Sequence, residues 1–540
     1  NELWVAVLYS LAIGLVSLVL PVAVQALVNS VAFGTVLQPI AVLTTLVFLA
    51  LCFSTVLTAY RLWVVELIQR RMFVRIAGEA TMKLVHVDPR DFDRYHGPEL
   101  VNRFLDIATI QKASASLLLD GLTVITQSVI GMVLLAIYHP WLLAFDVMLL
   151  VSIMVVLFPM GRGAIPTSVK ESKAKYALLA WMEEIARHQI SFRTRVGGRL
   201  AIERTNSLVV DYITYRSKHY RILMRQIIGS FALQAFASAT LLGVGGWLVI
   251  ERQLTLGQLV AAELVVALVV SSFTKFGKHL ESFYDLMAAI DKLGYLTDLP
   301  VERTTGEPLP VREAPASVRV VGATVLSSNR GVLLRDVDVE FPAGSRTGII
   351  GSTGSGKSTL LDLIYGLKTP ESGYIEFNGR DYREVLLGDL RDRISLVREP
   401  EIFEGSLFEN LRLGLDTCDS DAARAVLAKV GLLDSVMELP NGLQTNLQTG
   451  GLPLSPGQRV QLVLARALLR QPKLLILDES LDWLDDLPER ELLLETLFTP
   501  GAPWTLIVVS QSADILSRCD RVYEVRDRRV IEARRPSALV

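Results

Sequence analysis

Long apolar runs fill the first half of the chain. Leu3 to Val28 is almost wholly apolar, and at about 1.5 Å per residue such a run crosses a hydrocarbon core about 30 Å thick. Comparable runs follow at Ile40–Tyr60, Leu117–Tyr138, Trp141–Met160, Ile227–Ile250 and Leu259–Phe273. The pattern predicts six spans, the last short and continuing into a more polar helix.

Basic residues orient these spans, because Lys and Arg stay on the cytoplasmic side. The segment after the second span carries Arg70, Arg71, Arg75, Lys83, Arg90, Arg94 and Arg103, and the one after the fourth carries eight more between Lys170 and Arg204. Asn29–Pro39 and His139–Pro140 contain none, and Glu251–Gln258 holds only Arg252, so these read as outer loops. Both inside segments are mostly helix-forming, with breaks expected at Asp88-Pro89-Arg90, Gly97-Pro98 and Gly197-Gly198. Phe92, Tyr95, Leu100 and Phe104 recur among the charges, which suggests a docking surface for another domain. Asp146 and Glu263 are ionisable groups at or near membrane depth, where a lumen, an ion pair or an interfacial position accounts for such residues.

A different chain begins near Leu299. Pro300, Pro308, Pro310 and Pro315 among charged residues mark a linker over 299–316, separating a membrane domain over 1–298 from a globular domain over 317–540. In the latter, the apolar strand Arg346–Ile350 leads into Gly351-Ser352-Thr353-Gly354-Ser355-Gly356-Lys357-Ser358, and Thr359 opens a helix. A triphosphate needs several donors converging on its oxygens, and consecutive N–H groups at a helix N-terminus supply them where glycines permit the turn. Lys357 adds a positive charge at the β/γ-phosphates, the Ser358 hydroxyl suits Mg²⁺, and Thr359 reaches a phosphate. A second apolar strand, Lys473–Leu477, ends in Asp478-Glu479. Asp478 would hold Mg²⁺ through water, and Glu479 would polarise the attacking water. ATP and Mg²⁺ are therefore the expected ligands.

Composition agrees with a bipartite chain: 51% of the 540 residues are hydrophobic, yet 20% are charged. The net charge of −2 gives no basic surface for nucleic acid. Cys52, Cys418 and Cys519 are too scattered for a metal site or a disulfide framework. Asn1 enters the first apolar run at once, which leaves room for an upstream segment.

Leu454-Ser455-Pro456-Gly457-Gln458-Arg459, running into Leu462–Leu469 shortly before Asp478, resembles the signature motif of ABC transporters, with Pro456 where a second glycine is usual. The resemblance covers essentially the whole chain. It implies an all-α membrane domain of six helices with long cytoplasmic extensions, followed by an α/β P-loop nucleotide-binding domain. It makes Asp485 the aspartate that follows the catalytic glutamate. It also implies half of an exporter in a bacterial inner membrane, with the ATPase domain cytoplasmic, working as a dimer, a homodimer in the first instance. Ser455, Gly457 and Gln458 of one protomer would close on the nucleotide of the other, and cytoplasmic helices around Phe92–Phe104 and Met182–Arg195 would pass the motion to the spans. The stretches Leu18–Pro21 to Asn29 and Leu254–Leu259 look most like type I secretion and related peptide exporters, which would bring a periplasmic adaptor and an outer-membrane channel as partners.

Three positions depart from that family. Arg398 stands where a glutamine normally senses the metal and water, Gln511 stands where a switch histidine contacts the γ-phosphate, and Ala323–Asn329 contains no aromatic residue to stack on adenine. Since Glu479 is retained, the expectation is an ATP-driven exporter of a peptide, protein or hydrophobic compound, with slowed hydrolysis. The alternatives are an impaired subunit of a heterodimeric exporter and a regulatory membrane protein that binds ATP without turnover.

Overall fold

A computed structural model describes residues 2–32, 37–89, 101–274, 276–310, 313–327, 331–484 and 488–533. The chain divides into two compact units, Asn1–Val87 with Arg94–Pro300, and Asp88–Asp93 with Val301–Val540.

The first unit is helical throughout. Its helices are α1 (Glu2–Ser17), α2 (Val19–Ala32), α3 (Leu37–Val85), α4 (Asp106–Ser116), α5 (Leu122–Tyr138), α6 (Pro140–Leu157), α7 (Ala164–Arg187), α8 (Arg195–Ile250), α9 (Leu256–Thr274) and α10 (Phe276–Thr297). Among the described residues, five helical stretches are long and apolar enough to cross a membrane: Glu2–Val31, Ile40–Val85, Val101–Tyr138, Pro140–Leu157 and Arg195–Ile250. Leu256–Val269 is a shorter apolar helix in the place of the expected sixth span. The 49 residues of α3 and 56 of α8 rise roughly 70–85 Å, more than twice the hydrocarbon thickness. Both therefore continue past the apolar stretch as charged helix.

The first apolar run is not one straight helix. It breaks at Leu18, because Pro21 has no N–H and its ring crowds the carbonyl four residues back, at Ser17. The break expected at Gly197-Gly198 lies earlier in the chain, at 188–194, a stretch that holds only the single helical turn Gln189–Phe192. Thr194 caps α8 by accepting from the Gly197 N–H at 3.0 Å, so both glycines fall in its first turn. A Cβ on Gly197 would stand 2.3 Å from the Ser191 carbonyl oxygen; that glycine lets the preceding turn approach the helix closely. Asp88 follows the end of α3, as expected, while the break at Gly97-Pro98 and the residues Arg90, Phe92, Arg94, Tyr95 and Leu100 lie outside the described residues.

The two stretches singled out by resemblance meet in space. Gly257 of α9 packs on α2 so closely that a Cβ would stand 2.4 Å from Asn29 Oδ1 and 2.7 Å from the Gln25 carbonyl oxygen. Thr255 and Gln258 cap the start of α9 reciprocally, at 2.8 and 3.1 Å, as a capping box does. Asp146 is 5% exposed, and neither of its carboxylate oxygens has a hydrogen-bond partner among the described residues. Glu263 is half-buried in α9.

In the second unit, β1 (Val318–Leu326), β2 (Val332–Phe341), β4 (Ser372–Phe377) and β5 (Arg380–Asp381) form an antiparallel sheet in the order β2-β1-β4-β5. A six-stranded sheet carries β12 (Arg529–Ala533), β11 (Arg521–Arg526), β3 (Arg346–Ile350), β10 (Thr505–Val509), β9 (Leu474–Asp478) and β6 (Ile394–Val397), in that order. From β11 to β6 every pairing is parallel, and β7 (Gly405–Ser406) and β8 (Asn446–Leu447) pair antiparallel apart from these sheets. β9 and β10 are buried along their whole length, which is why they read as continuous apolar runs and not as alternating ones.

Residues 301–310 are fastened to this unit. Glu302 receives both Arg391 terminal nitrogens at 2.7 Å, and Arg303 donates to the Tyr382 and Val385 carbonyls, each at 2.7 Å. The segment is a strap held by side chains.

Candidate active site

In a parallel sheet the C-terminal strand ends point the same way, and ligands bind in the crevice beyond them. The register brings four ends together here. Val509 pairs with both Ile349 and Asp478, and Val397 pairs with Leu477. The loop after β3, Asp478-Glu479 after β9, Ser510-Gln511 after β10 and Arg398 after β6 thus emerge side by side.

The phosphate-binding loop has the backbone that its glycines allow. Gly351 has φ +153°, and a Cβ there would lie 2.6 Å from the Val525 carbonyl oxygen. Gly356 caps the helix Lys357–Tyr365 with φ +113°, and a Cβ there would press on Leu334 at 2.9 Å. That helix directs its N-terminal N–H groups and dipole at the loop. Ser352, Thr353, Gly354 and Ser358 are exposed. Ser355 and Thr359 are half-buried, and the Ser355 hydroxyl oxygen is buried with no partner among the described residues. Lys357, 7% exposed, donates to the carbonyls of Gly351 and Ser352 at 3.0 and 3.2 Å, with its ammonium 3.5 Å from Glu479 Oε1.

Glu479 has φ +53° and a side chain 57% exposed. Left-handed backbone at a non-glycine residue is strained. Its N–H donates to the Val509 carbonyl at 3.1 Å, an interstrand bond that holds the turn and aims the carboxylate out of the sheet toward Lys357. Ser510 fixes the neighbouring turn by donating to Asp482 Oδ1 at 2.9 Å and accepting from the Ser512 N–H at 3.0 Å. Gln511 is exposed beside it.

Arg398 is the unexpected element. Its Nε donates to Asp478 Oδ2 at 2.6 Å, and a terminal nitrogen donates to Asp362 Oδ1 at 3.0 Å. Burial pulls the guanidinium pKa down, but Asp362 and Asp478 outweigh it and leave the pKa above the ordinary value, so the group stays a cation. Asp362, which also lies 3.8 Å from the Lys368 ammonium, was missed in the sequence. Its signal is spacing: it stands four residues after Ser358, on the same face of the phosphate-loop helix.

Magnesium was expected on Ser358 and Asp478. The Ser358 hydroxyl fits, being exposed at the loop. The Asp478 carboxylate is less open to a metal, since a guanidinium, with five donors and no acceptor, already lies on its Oδ2.

Ser455, Gly457 and Gln458 open a separate helix, Pro456–Leu469. Ser455 accepts from the Gln458 N–H at 3.3 Å, and Gln458 Oε1 accepts from the Ser455 N–H at 2.9 Å. Pro456 falls at the first helical position, where its missing N–H costs nothing and its φ suits the helix. Among the described residues, none of these three bonds to the phosphate loop of the same chain. Asp485 and residues 328–330 lie outside the described residues.

A helical membrane unit joined to a P-loop unit with acidic residues at the strand ends defines a nucleotide-driven membrane protein. The family model of the ABC transporter transmembrane region matches residues 3–273, and that of the ABC transporter matches residues 334–482. The chain belongs to the ABC transporter family. It is 27% identical over 463 residues to an ATP-dependent lipid A-core flippase of Desulfotalea psychrophila, covering 83% of this chain and 79% of the relative. It is 31% identical over 288 residues to the lipid A-core flippase of Methylococcus capsulatus, covering 52% of this chain and 47% of the relative. An uncharacterised ABC transporter ATP-binding protein of Sinorhizobium fredii is 27% identical over 302 residues, 56% of this chain and 51% of the relative. The chain thus spans about half the length of these last two relatives. A solved structure of a bacterial Atm1-family ABC exporter with ATP bound superposes with a TM-score of 0.86 at 20% identity, covering all of this chain and 95% of the other; the two share a fold.

Proposed function

We propose that this chain is one half of an ATP-driven exporter in a bacterial inner membrane, moving a hydrophobic or amphipathic compound out of the cytoplasmic side. The observation that carries this reading is the convergence of the phosphate loop, Asp478 and Glu479 at adjoining strand ends, in a chain that also carries membrane-length helices. Gly351–Gly356 and Thr359 receive the phosphates, Lys357 leaves the loop carbonyls for the β/γ-phosphates, and Glu479 orients the attacking water. Gln511 donates a hydrogen bond to the γ-phosphate but moves no proton.

The signature residues Ser455, Gly457 and Gln458 belong to the site of a second copy. A homodimer therefore completes two sites, and ATP draws the two ATPase units together. The named flippases favour a lipid-like substrate over a secreted protein, and the adaptor and outer-membrane channel of type I secretion draw no support from them. Proteoliposomes containing the purified chain should move a fluorescent lipid between leaflets with ATP and not with a non-hydrolysable analogue. Equal rates with both would refute the reading.

A second reading has its own observation. Arg398 on Asp478 suits an impaired site, completed by a different half-transporter whose own site hydrolyses ATP. Phosphate release by the purified single chain would exclude it.

A further inference from the structure

We infer that Arg398 is a resident cation taking the place of the divalent metal, so that this site binds metal-free nucleoside triphosphate. The inference rests on the nucleotide-binding reading above and concerns the same pocket.

Charges at short range balance in this pocket without a metal. Around the phosphate loop lie Lys357, Lys368 and Arg398, and facing them Asp362, Asp478 and Glu479, joined by contacts of 2.6 to 3.8 Å. Three cations balance three anions with no metal counted. Without Arg398 the set carries a net negative charge, and Asp478 loses the cation beside it where a polyphosphate must approach. A divalent cation normally relieves that repulsion by sitting between carboxylate and phosphate.

Here the guanidinium occupies that position from the protein side. It grips Asp478 through Nε and Asp362 through a terminal nitrogen, and the same terminal nitrogen lies 3.5 Å from the Ser358 carbonyl oxygen. The cation is thus moored beside the residue expected to ligate the metal. Asp478 is 6% exposed, so its charge is held out of water and needs a permanent partner. Register brings the pair together: Val397 and Leu477 are paired on adjacent parallel strands, which sets Arg398 next to Asp478. Asp362 then fixes the arginine from the phosphate-loop helix. A metal would have to displace a 2.6 Å charge-assisted hydrogen bond to reach Oδ2 of that carboxylate, and such bonds are among the stronger ones.

The test is equilibrium binding of radiolabelled ATP to the full chain in lipid nanodiscs, in excess Mg²⁺ and in excess EDTA, for the wild type and R398Q. Wild-type affinity should differ by less than about threefold between the two conditions, whereas R398Q should bind about tenfold or more weakly in EDTA and recover in Mg²⁺. Wild-type binding that is firm in Mg²⁺ but falls about tenfold in EDTA would overturn the inference and leave the nucleotide site standing; this comparison decides even where R398Q fails to fold. Metal-insensitive binding in both proteins would remove Arg398 from the role. No binding by the wild type in either condition would refute the nucleotide-binding reading itself.

Discussion

Adding one methyl group at each of two loop glycines separates backbone strain from steric exclusion. At Gly354, φ is +78° and a Cβ meets nothing within 4 Å, so Gly354→Ala incurs only the cost of left-handed backbone, about 1–2 kcal/mol. At Gly351, φ is +153° and the Cβ would stand 2.6 Å from the Val525 carbonyl oxygen and 2.7 Å from Ser355 Oγ. The serine can rotate away, but the Val525 carbonyl is held in the sheet, since β11 pairs with both β3 and β12. Overpacking of about 1–3 kcal/mol therefore adds to the strain, giving about 2–5 kcal/mol for Gly351→Ala. For a domain of this size about 1 kcal/mol moves the midpoint by roughly 2–4 °C. Calorimetry of the full chain in detergent should show the ATPase transition lowered by about 2–8 °C for Gly354→Ala and by more, about 4–20 °C, for Gly351→Ala. Saturating ATP at about 100 times Kd, which adds about 2.7 kcal/mol to a binding-competent protein, should raise the Gly354→Ala midpoint and leave that of Gly351→Ala unmoved. Equal midpoint losses, or a Gly351→Ala protein stabilised by ATP like the wild type, would refute the assigned loop geometry.

Two further predictions concern the signature helix and the membrane unit. Ser455→Ala removes a reciprocal cap and should destabilise the ATPase unit by about 1 kcal/mol in the absence of nucleotide, while Pro456→Gly, which keeps the cap, should cost about half to one kcal/mol through the freedom it gives the unfolded chain; chemical denaturation read by domain-specific proteolysis orders them. Burial pushes the Lys292 ammonium down to about 7, with Asp106 opposing the shift. Its folded value thus lies below its unfolded one, so the unfolded state binds more protons between about pH 7 and 10, and stability must rise with pH across that window. Lys292→Met should flatten the rise, and a melting profile as steep as the wild type's would count against a buried neutral lysine.

What the sequence discloses and what it hides follow from the range of the forces involved. Apolar runs and the phosphate loop are local patterns, each complete within a few dozen residues, and the parallel-sheet register then carries Asp478 and Glu479 to the loop. The sequence marks Arg398 as a departure by position alone. Its grip on Asp362 depends on residues 36 positions apart in the chain, and nothing local announces that the two face one another. The double glycine at 197–198 misled because glycine marks both broken helices and helices crowded by a neighbour. Only the Thr194 cap and the nearby Ser191 carbonyl show that the second case holds. Pro456, read as a departure from the signature motif, is structurally conservative once its place at the first turn of the helix is known.

On the proposed function, this chain hydrolyses ATP with Glu479 as the group that orients water. Phosphate release from ATP by the full chain in lipid, compared between wild type and Glu479→Gln with nucleotide binding measured on the same samples, tests it most directly. The account predicts measurable release by the wild type, loss of about a hundredfold or more in the variant, as general-base removal brings, and binding retained in both. Equal release by the two proteins would contradict it.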